Sequence, residues 1–364
     1  MSNVIYFVVH SFSHKVRGGV NRVVAETANE LATKDNMEVN ILSLGGDVEN
    51  TSYPVLENVN VYTLNMKKHS TNQYKSIFKV FWIFSAFFAV FNFYKNQKNK
   101  AVWNLTSPAL IILFSLIPKK DNIFVGCEHI SPQRYKNNFI TNTLRKFFLN
   151  KNDFNISLNE SDDQYYKEKG IKSKLIYNGV KFPKKIDDER EKSIIFVGRF
   201  DDQKNPLEAI KIFYKSKLWE DGYILKFYGR GKYQENIINK INEYNIKNSV
   251  EIFSNENDPD VIYKNAALLI LTSRYEGFGM VLIEAMSRGI PCVSYDCPHG
   301  PSDILVNGTN GYLVKMNNDA DFIEKMQLTL KSDFRSLDIM NSVEKFKIQK
   351  VCFDWENIIS NKGI

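Results

Sequence analysis

Two successive series of strand-length apolar runs, each run followed by a helix-forming segment, hold this chain to an α/β architecture with parallel sheets covered on both faces. In the first series Val4–Val9 reads as a strand, Val20–Thr33 as a helix and Glu38–Ser43 as a strand. Tyr74–Asn96 reads as a long helix, Ala101–Leu105 as a strand, Pro108–Leu116 as a helix and Ile123–Cys127 as a strand. A helical Ile140–Leu149 leads to the strand Phe154–Leu158, and Leu175–Asn178 before Gly179 reads as a last short strand. The Lys- and Asp-rich stretch Lys181–Lys192 is the best linker. The second series has strands at Ser193–Gly198, Tyr223–Tyr228, Val250–Phe253, Ala266–Thr272, Pro291–Tyr295 and Gly311–Val314. Its helices are Pro206–Lys215, Tyr233–Glu243, Pro259–Asn265, Met280–Ser287, Ala320–Leu330 and Ser336–Lys345. The expected organisation is two Rossmann-like domains, residues 1–180 and 190–345, facing each other across a cleft. Residues 346–364 are expected to form a helix that returns to the first domain. In sheets of this kind ligands sit at the carboxyl ends of the strands.

At 364 residues each domain is long enough for its own core, and the 43% hydrophobic and 24% charged residues are those of a soluble globular protein. The net charge of +7 is modest and reads as spread over Lys-rich surface positions, with no block of like charge that would mark a nucleic-acid arm. A basic balance suits anionic partners such as a nucleoside diphosphate or an acidic membrane surface. The first strand begins almost at the N-terminus, which leaves no secretory signal and places the protein in the cytoplasm. Cys127, Cys292, Cys297 and Cys352 lack zinc-type spacing and read as reduced, buried thiols. The Phe-crowded segment Ile77–Tyr94 has a charge-free run, Val80–Phe91, that is too short for a bilayer span. It is either a core helix packed on the sheet or a helix whose aromatic face dips into the inner face of the cell membrane with lysines at the headgroups.

The residues with chemistry in them gather at strand-to-helix junctions. Leu271–Tyr295 reads strand, glycine-bearing loop, helix, strand, with Glu276 in the loop and Glu284 in the second turn of the helix. Gly277 and Gly279 break the strand, Met280–Ser287 are good helix formers, and Gly289 with Pro291 stops them. A loop ending in a helix N-terminus offers unpaired backbone N–H groups and a positive dipole end to a phosphate. Glu284 can accept hydrogen bonds from sugar or ribose hydroxyls. In the second domain's first junction Asn205 reads as an N-cap, Pro206 as the first helical residue and Glu208 as the partner in a capping box. Arg199 and Lys204 emerge beside it, two cations able to neutralise a diphosphate leaving group. Gly229 and Gly231 repeat the glycine theme at the next strand end and read as room for a nucleotide.

In the first domain Gly18 and Gly19 precede a helix and let backbone approach an anion closely. Glu128 and His129 follow a strand, where a Glu–His pair can orient or deprotonate a hydroxyl. His299 lies in a rigid Pro/Gly loop, and His69 has no context. Asp258-Pro259-Asp260 has the spacing of a metal-binding pair, but Asp258 is better placed as a helix cap, and no metal or other cofactor is expected.

These residues, in this order, resemble a retaining GT-B glycosyltransferase of family 4. The resemblance covers nearly the whole chain and is carried by the Gly18-Gly19 loop, Val197-Gly198-Arg199 with Lys204, and Glu276-Gly-Phe-Gly-Met-Val-Leu-Ile-Glu284. Cys127-Glu128-His129 and Ser294–Ile304 are similar to the branch that assembles bacterial capsule, exopolysaccharide and lipopolysaccharide. It implies that Gly19 approaches the donor phosphate, Arg199 and Lys204 hold the diphosphate, and Glu276 contacts the transferred sugar. Phe278, Gly279, Met280 and Val281 would lie along sugar and phosphate, Glu284 would bind the ribose, and His129 would face the acceptor. Asp303 stands where many members carry Glu. The implied activity is metal-independent transfer of a hexose or N-acetylhexosamine from a UDP-sugar to a glycan, lipid-linked, acceptor. The rivals are a UDP-sugar 2-epimerase of the same form and a non-catalytic nucleotide-binding subunit of another transferase.

Overall fold

The computed structural model describes residues 3–14, 16, 18–46, 50–66, 76–129, 139–185, 189–298 and 300–360, with the side chains of 76–81 and 139–141 outside that description. His69 and His299 lie outside the described residues. The chain divides into two compact units, Met1–Gly179 with Ile348–Ile364, and Val180–Lys347.

The first unit is a seven-stranded sheet. Its elements run β1 (Asn3–Ser11), α1 (Gly19–Ala32), β2 (Met37–Gly45), β3 (Val59–Thr63), α2 (Ser76–Lys95), β4 (Ala101–Leu105), α3 (Pro108–Phe114), β5 (Ile123–Cys127), α4 (Phe139–Leu149), β6 (Phe154–Ser157), α5 (Glu160–Glu168) and β7 (Ser173–Leu175). All pairings are parallel in the order β3-β2-β1-β4-β5-β6-β7, with Val4 opposite Glu38 on one side and Ala101 on the other. β1 and β4 are buried on both faces, which is why they read as unbroken apolar runs. On one face Tyr6 stacks on Trp103 with ring centroids 4.2 Å apart, and α2, α3 and α5 close over them.

The second unit is a six-stranded parallel sheet in the order β10-β9-β8-β11-β12-β13. Its elements are β8 (Ser193–Val197), α6 (Pro206–Ser216), β9 (Ile224–Tyr228), α7 (Gln234–Glu243), β10 (Val250–Phe253), α8 (Pro259–Ile262), β11 (Leu268–Leu271), α9 (Met280–Met286), β12 (Cys292–Tyr295), α10 (Pro301–Ile304), β13 (Gly311–Val314), α11 (Asp319–Lys331) and α12 (Ser336–Ser342). Its core joins Phe196, Phe200 and Phe227 from the strand ends to Ile210 and Phe213 of α6 and Phe322 and Met326 of α11. The chain then re-enters the first unit as α13 (Ile348–Ser360), which packs on α1 and β1 and sets Trp355 edge-on to Phe7 at 5.9 Å. All four cysteines are free and buried.

Several local expectations are corrected. The last strand of the first unit is Ser173–Leu175, and residues 176–178 pass beyond the sheet; Ile176 is instead buried in the core. Asn205 occupies the N-cap position but in the left-handed region (φ 52°), so its side chain makes no cap bond, and Glu208 pairs with Lys211 at 2.5 Å instead of closing a capping box. Asp258 does cap α8, accepting the Asp260 backbone N–H at 2.9 Å.

Candidate functional site

In the second unit β8 has β9 on one side and β11 on the other, so the strand order reverses between β8 and β11. Loops leaving the carboxyl ends of those two strands open onto one crevice. The loop after β8 starts at Gly198, where any Cβ would lie 3.2 Å from Lys204 Cγ and Cδ. Glycine there lets the lysine's methylene chain lie flat across the strand end. The Lys204 N–H donates to Asp201 Oδ1 at 3.0 Å and fixes the loop's return. Three bonds then tie this loop to the one after β11. Arg274 N–H donates to the Gln203 carbonyl at 2.8 Å, Gln203 Nε2 to the Tyr275 carbonyl at 3.1 Å, and Thr272 Oγ1 to the Asn205 carbonyl at 3.0 Å.

That registration brings Lys204 Nζ to 2.7 Å from Glu276 Oε1, with side chains only 15% and 6% exposed. Ser273 Oγ donates to the same oxygen at 2.5 Å. The Glu276 N–H donates to the Pro298 carbonyl at 3.1 Å, and Gly300 packs so closely that a Cβ there would fall 2.1 Å from the Phe278 carbonyl oxygen. The loop before α10 therefore buttresses the loop before α9. Cys297 lies in the same loop, its thiol pushed up to about 12 by burial and by Glu276, so it is neutral.

Gly279 opens α9 with φ 98°, a conformation that favours glycine. Phe278 is buried, edge-on to Phe346 at 5.5 Å, while Met280 and Val281 are half-buried in the first turn, where N–H groups have no intrahelical acceptor. Glu284 is buried and accepts the Tyr263 hydroxyl at 2.7 Å. The Arg288 guanidinium lies 5.3 Å from the Tyr263 ring centroid, donates to the Glu284 carbonyl at 3.2 Å and pairs with Asp260 at 2.6 Å.

The two cations of this crevice have different partners: Lys204 is engaged by Glu276, while Arg199 is exposed and turned to Asp201 at 3.0 Å and Gln203 at 2.9 Å. A Cβ at Gly229 would fall 1.9 Å from the Gly198 carbonyl oxygen, and one at Gly231 2.5 Å from the Phe200 carbonyl oxygen, so close approach of the backbones requires glycine at both positions. Ser273, Gln203, Tyr263 and Arg288 were not singled out in the sequence. Only Ser273, three residues before Glu276, carried a signal that spacing could have used.

Gly18, Gly19, Glu128 and His129 belong to the first unit. The two glycines are exposed at the start of α1, and no described atom lies within 4 Å of where their Cβ atoms would be. Packing of the described residues therefore does not dictate glycine there. The loop before them is anchored by Asn21, whose Nδ2 donates to the Ser11 carbonyl at 2.8 Å and the Val16 carbonyl at 2.9 Å. Glu128 and His129 do not form a pair. Glu128 is buried against Arg145 and accepts the Tyr166 hydroxyl at 2.8 Å. His129 faces Cys127 Sγ at 3.7 Å and lines a cavity of about 20 Å³ with Asn104 and Asn178, and burial pushes it down to about 4. His10 stands at the end of β1. Its Nε2 lies 2.8 Å from Ser107 Oγ, across the β1/β4 reversal of the first sheet.

Comparison with known proteins places these two units. Residues 179–346, nearly the span of the second unit, match the family of Glycosyl transferases group 1. An uncharacterized glycosyltransferase of Haemophilus influenzae is 25% identical over 99% of this chain and 100% of its own length. The Campylobacter jejuni alpha-1,4-N-acetyl-D-galactosaminyltransferase acting on a diNAcBac-PP-undecaprenol-linked GalNAc disaccharide is 25% identical over 94% of this chain and 95% of its own. Among solved structures, the lipopolysaccharide outer core galactosyltransferase WaaB superposes with a TM-score of 0.74 at 20% identity, over 99% of this chain and 100% of its own. Anabaena HepE in complex with UDP and glucose gives a TM-score of 0.74 at 14% identity, over 98% and 99%. The chain thus has the two-domain α/β GT-B fold, and its second unit is a glycosyl transferases group 1 domain.

Proposed function

We propose that the protein transfers a hexose or N-acetylhexosamine from a UDP-sugar to a lipid-linked glycan acceptor during assembly of a bacterial surface polysaccharide, with retention at the anomeric carbon and without a metal. The observation that carries this reading is the Lys204–Glu276 pair at the β8/β11 reversal, with the first turn of α9 beside it and Glu284 held behind by Tyr263. A cation and a carboxylate within hydrogen-bond reach can exchange partners, Lys204 to an anionic leaving group and Glu276 to sugar hydroxyls. Arg199, exposed at the same loop, is the second cation available to a diphosphate. Glu284, one turn into α9, is the acceptor for ribose hydroxyls. Gly18 and Gly19, whose missing side chains no described neighbour requires, suit close approach of a phosphate. The relatives' printed activities on polysaccharide, lipopolysaccharide and undecaprenol-linked glycans, and the complexes of neighbours with UDP, support the donor and acceptor classes.

In the reaction the bond from C1 of the sugar to the β-phosphate oxygen breaks and the acceptor oxygen bonds to C1 on the same face. The acceptor's proton passes to the departing phosphate oxygen, and Lys204 and Arg199 hold the charge that develops there. The test is UDP release from UDP-glucose, UDP-galactose and their N-acetyl forms in the presence of a lipid-linked acceptor, with the product's anomeric configuration read by NMR. Retained configuration and UDP release that requires acceptor are expected, and Glu276→Gln is expected to lose transfer. A sugar isomerised without acceptor indicates the epimerase, and absence of UDP release with every donor overturns the transferase reading.

A further inference from the structure

The geometry points to the outer side of α2, α3 and α4 in the first unit as a face that docks on an anionic phospholipid surface. This goes beyond the transfer reaction and does not depend on it. The three helices lie on the same side of the first sheet, with α3 in contact with both α2 and α4. Each buries one stripe and exposes an apolar one. α2 buries Ala86, Val90 and Tyr94 at a spacing of four and exposes Ile83, Phe84 and Phe88, the two phenylalanines each 59% accessible. α3 buries Leu110, Ile111, Leu113 and Phe114 and exposes Ile112, with Leu116 exposed just past its end; α4 exposes Leu144 and Phe147. Large apolar side chains open to water on three neighbouring helices are the composition of a docking face rather than of an ordinary surface.

The charge around this face selects its occupant. Residues 58–152 hold 14 of the chain's 48 Lys and Arg but only two of its 41 acids, Asp121 and Glu128, so this stretch carries +12 and the remainder of the chain −5. Along the sequence the basic charge is therefore concentrated in the stretch that contains α2, α3 and α4. α2, α3 and α4 contain no acidic residue, and Glu128 is already neutralised by Arg145. Lys95 closes α2, Lys146 adjoins Phe147, and the Lys151 ammonium sits over the Phe147 ring at 5.2 Å. Aromatic side chains flanked by lysines match the boundary of a bilayer, where rings enter the acyl edge and ammonium groups meet phosphate headgroups. A second copy of the chain would bring two faces of like charge together. No described helix is long and apolar enough to cross a membrane, so the contact is one of surface seating, not of spanning.

Cosedimentation of the full chain with vesicles tests this, comparing pure phosphatidylcholine with an equal mixture of phosphatidylcholine and phosphatidylglycerol. Binding is expected to the mixed vesicles, weakening as salt is raised, with little binding to pure phosphatidylcholine. The triple variant Phe84→Gln, Phe88→Gln, Phe147→Gln changes only exposed positions and is expected to keep its thermal unfolding while its partitioning falls at least about tenfold. Lys95→Glu with Lys146→Glu should lower partitioning by a similar factor at low salt. Three results overturn the inference: no binding to the mixed vesicles, equal partitioning of the triple variant and the native chain, or a concentration-dependent dimer that the triple variant abolishes.

Discussion

Lys204 and Glu276 are the residues on which the site's chemistry and the second unit's stability both bear. The carboxylate is almost fully enclosed and the ammonium nearly so, hence removing either leaves the other charge poorly solvated. Lys204→Ala is expected to cost about 3 kcal/mol of unfolding free energy, whereas Lys204→Met combined with Glu276→Leu should recover most of it. Urea titrations of the two singles and the double measure the coupling, and additive losses would mean the pair is not coupled. The residue types and their loops were legible in the sequence because strand ends and glycines mark them. Their pairing was not, since it depends on the bonds from Gln203, Arg274 and Thr272 that register two loops far apart in the chain. The same limit explains Glu128, read beside His129 but turned toward Arg145 and Tyr166 by the helices that cover it. His129 adds a pH dependence. Its folded pKa is depressed from about 6.5 to about 4, so below the unfolded value the unfolded chain takes up a proton that the folded chain refuses. This contribution is complete above pH 6.5 and is lost as pH falls toward 4, by roughly 3 kcal/mol at most. Stability measured across that window should show a shallower slope in His129→Asn, and an unchanged slope would assign the effect to other groups.

At the scale of elements, period and punctuation located most strands and helices, because buried parallel strands are short apolar runs and helices here carry one apolar stripe. β3 was missed for the complementary reason. Val59–Thr63 is an edge strand with alternate residues exposed and too little apolar character to stand out. α5, Glu160–Glu168, was missed because its sequence is almost wholly polar; Tyr166 is its one large buried apolar side chain, and its start is fixed by Asn159 accepting the Asp162 N–H. The loop into α9 shows how an element boundary becomes part of the site. Gly279 holds φ 98° at the N-cap, and an ideal Cβ would meet Ile304 and Leu282 side chains only at 3.4 Å, so the obstacle to a side chain is backbone conformation rather than space. Gly279→Ala is therefore expected to cost about 1–2 kcal/mol and, by shifting the first turn of α9, to weaken UDP binding. Calorimetric titration with UDP and a thermal melt separate the two effects, and unaltered affinity would detach this turn from the nucleotide.

At the scale of the whole molecule, the chain leaves its first unit at residue 179, builds the second, and comes back at residue 348. The net charge of +7 hides a basic stretch over residues 58–152, +12, set against an acidic remainder, −5, and a total could not reveal how the charge is distributed. The returning helix α13 was expected from the sequence to come back to the first domain; which side chains it covers there is a matter of tertiary packing. It buries Ile348, Val351, Cys352, Trp355, Ile358 and Ile359, with the Cys352 thiol 3.8 Å from the Thr27 carbonyl of α1 and the Lys34 ammonium 3.2 Å from Glu356. Each large apolar side chain taken out of water contributes about 1.5–3 kcal/mol, so five of them are comparable to the whole net stability of an ordinary domain. Truncation after Lys347 leaves the second unit's sequence complete but uncovers Phe7 and the inner stripe of α1. The truncated chain is expected to lose the calorimetric transition of the first unit while keeping that of the second, still responsive to UDP. A first unit that melts as in the full chain would show that α13 is dispensable to it, and loss of both transitions would show that the second unit depends on the first.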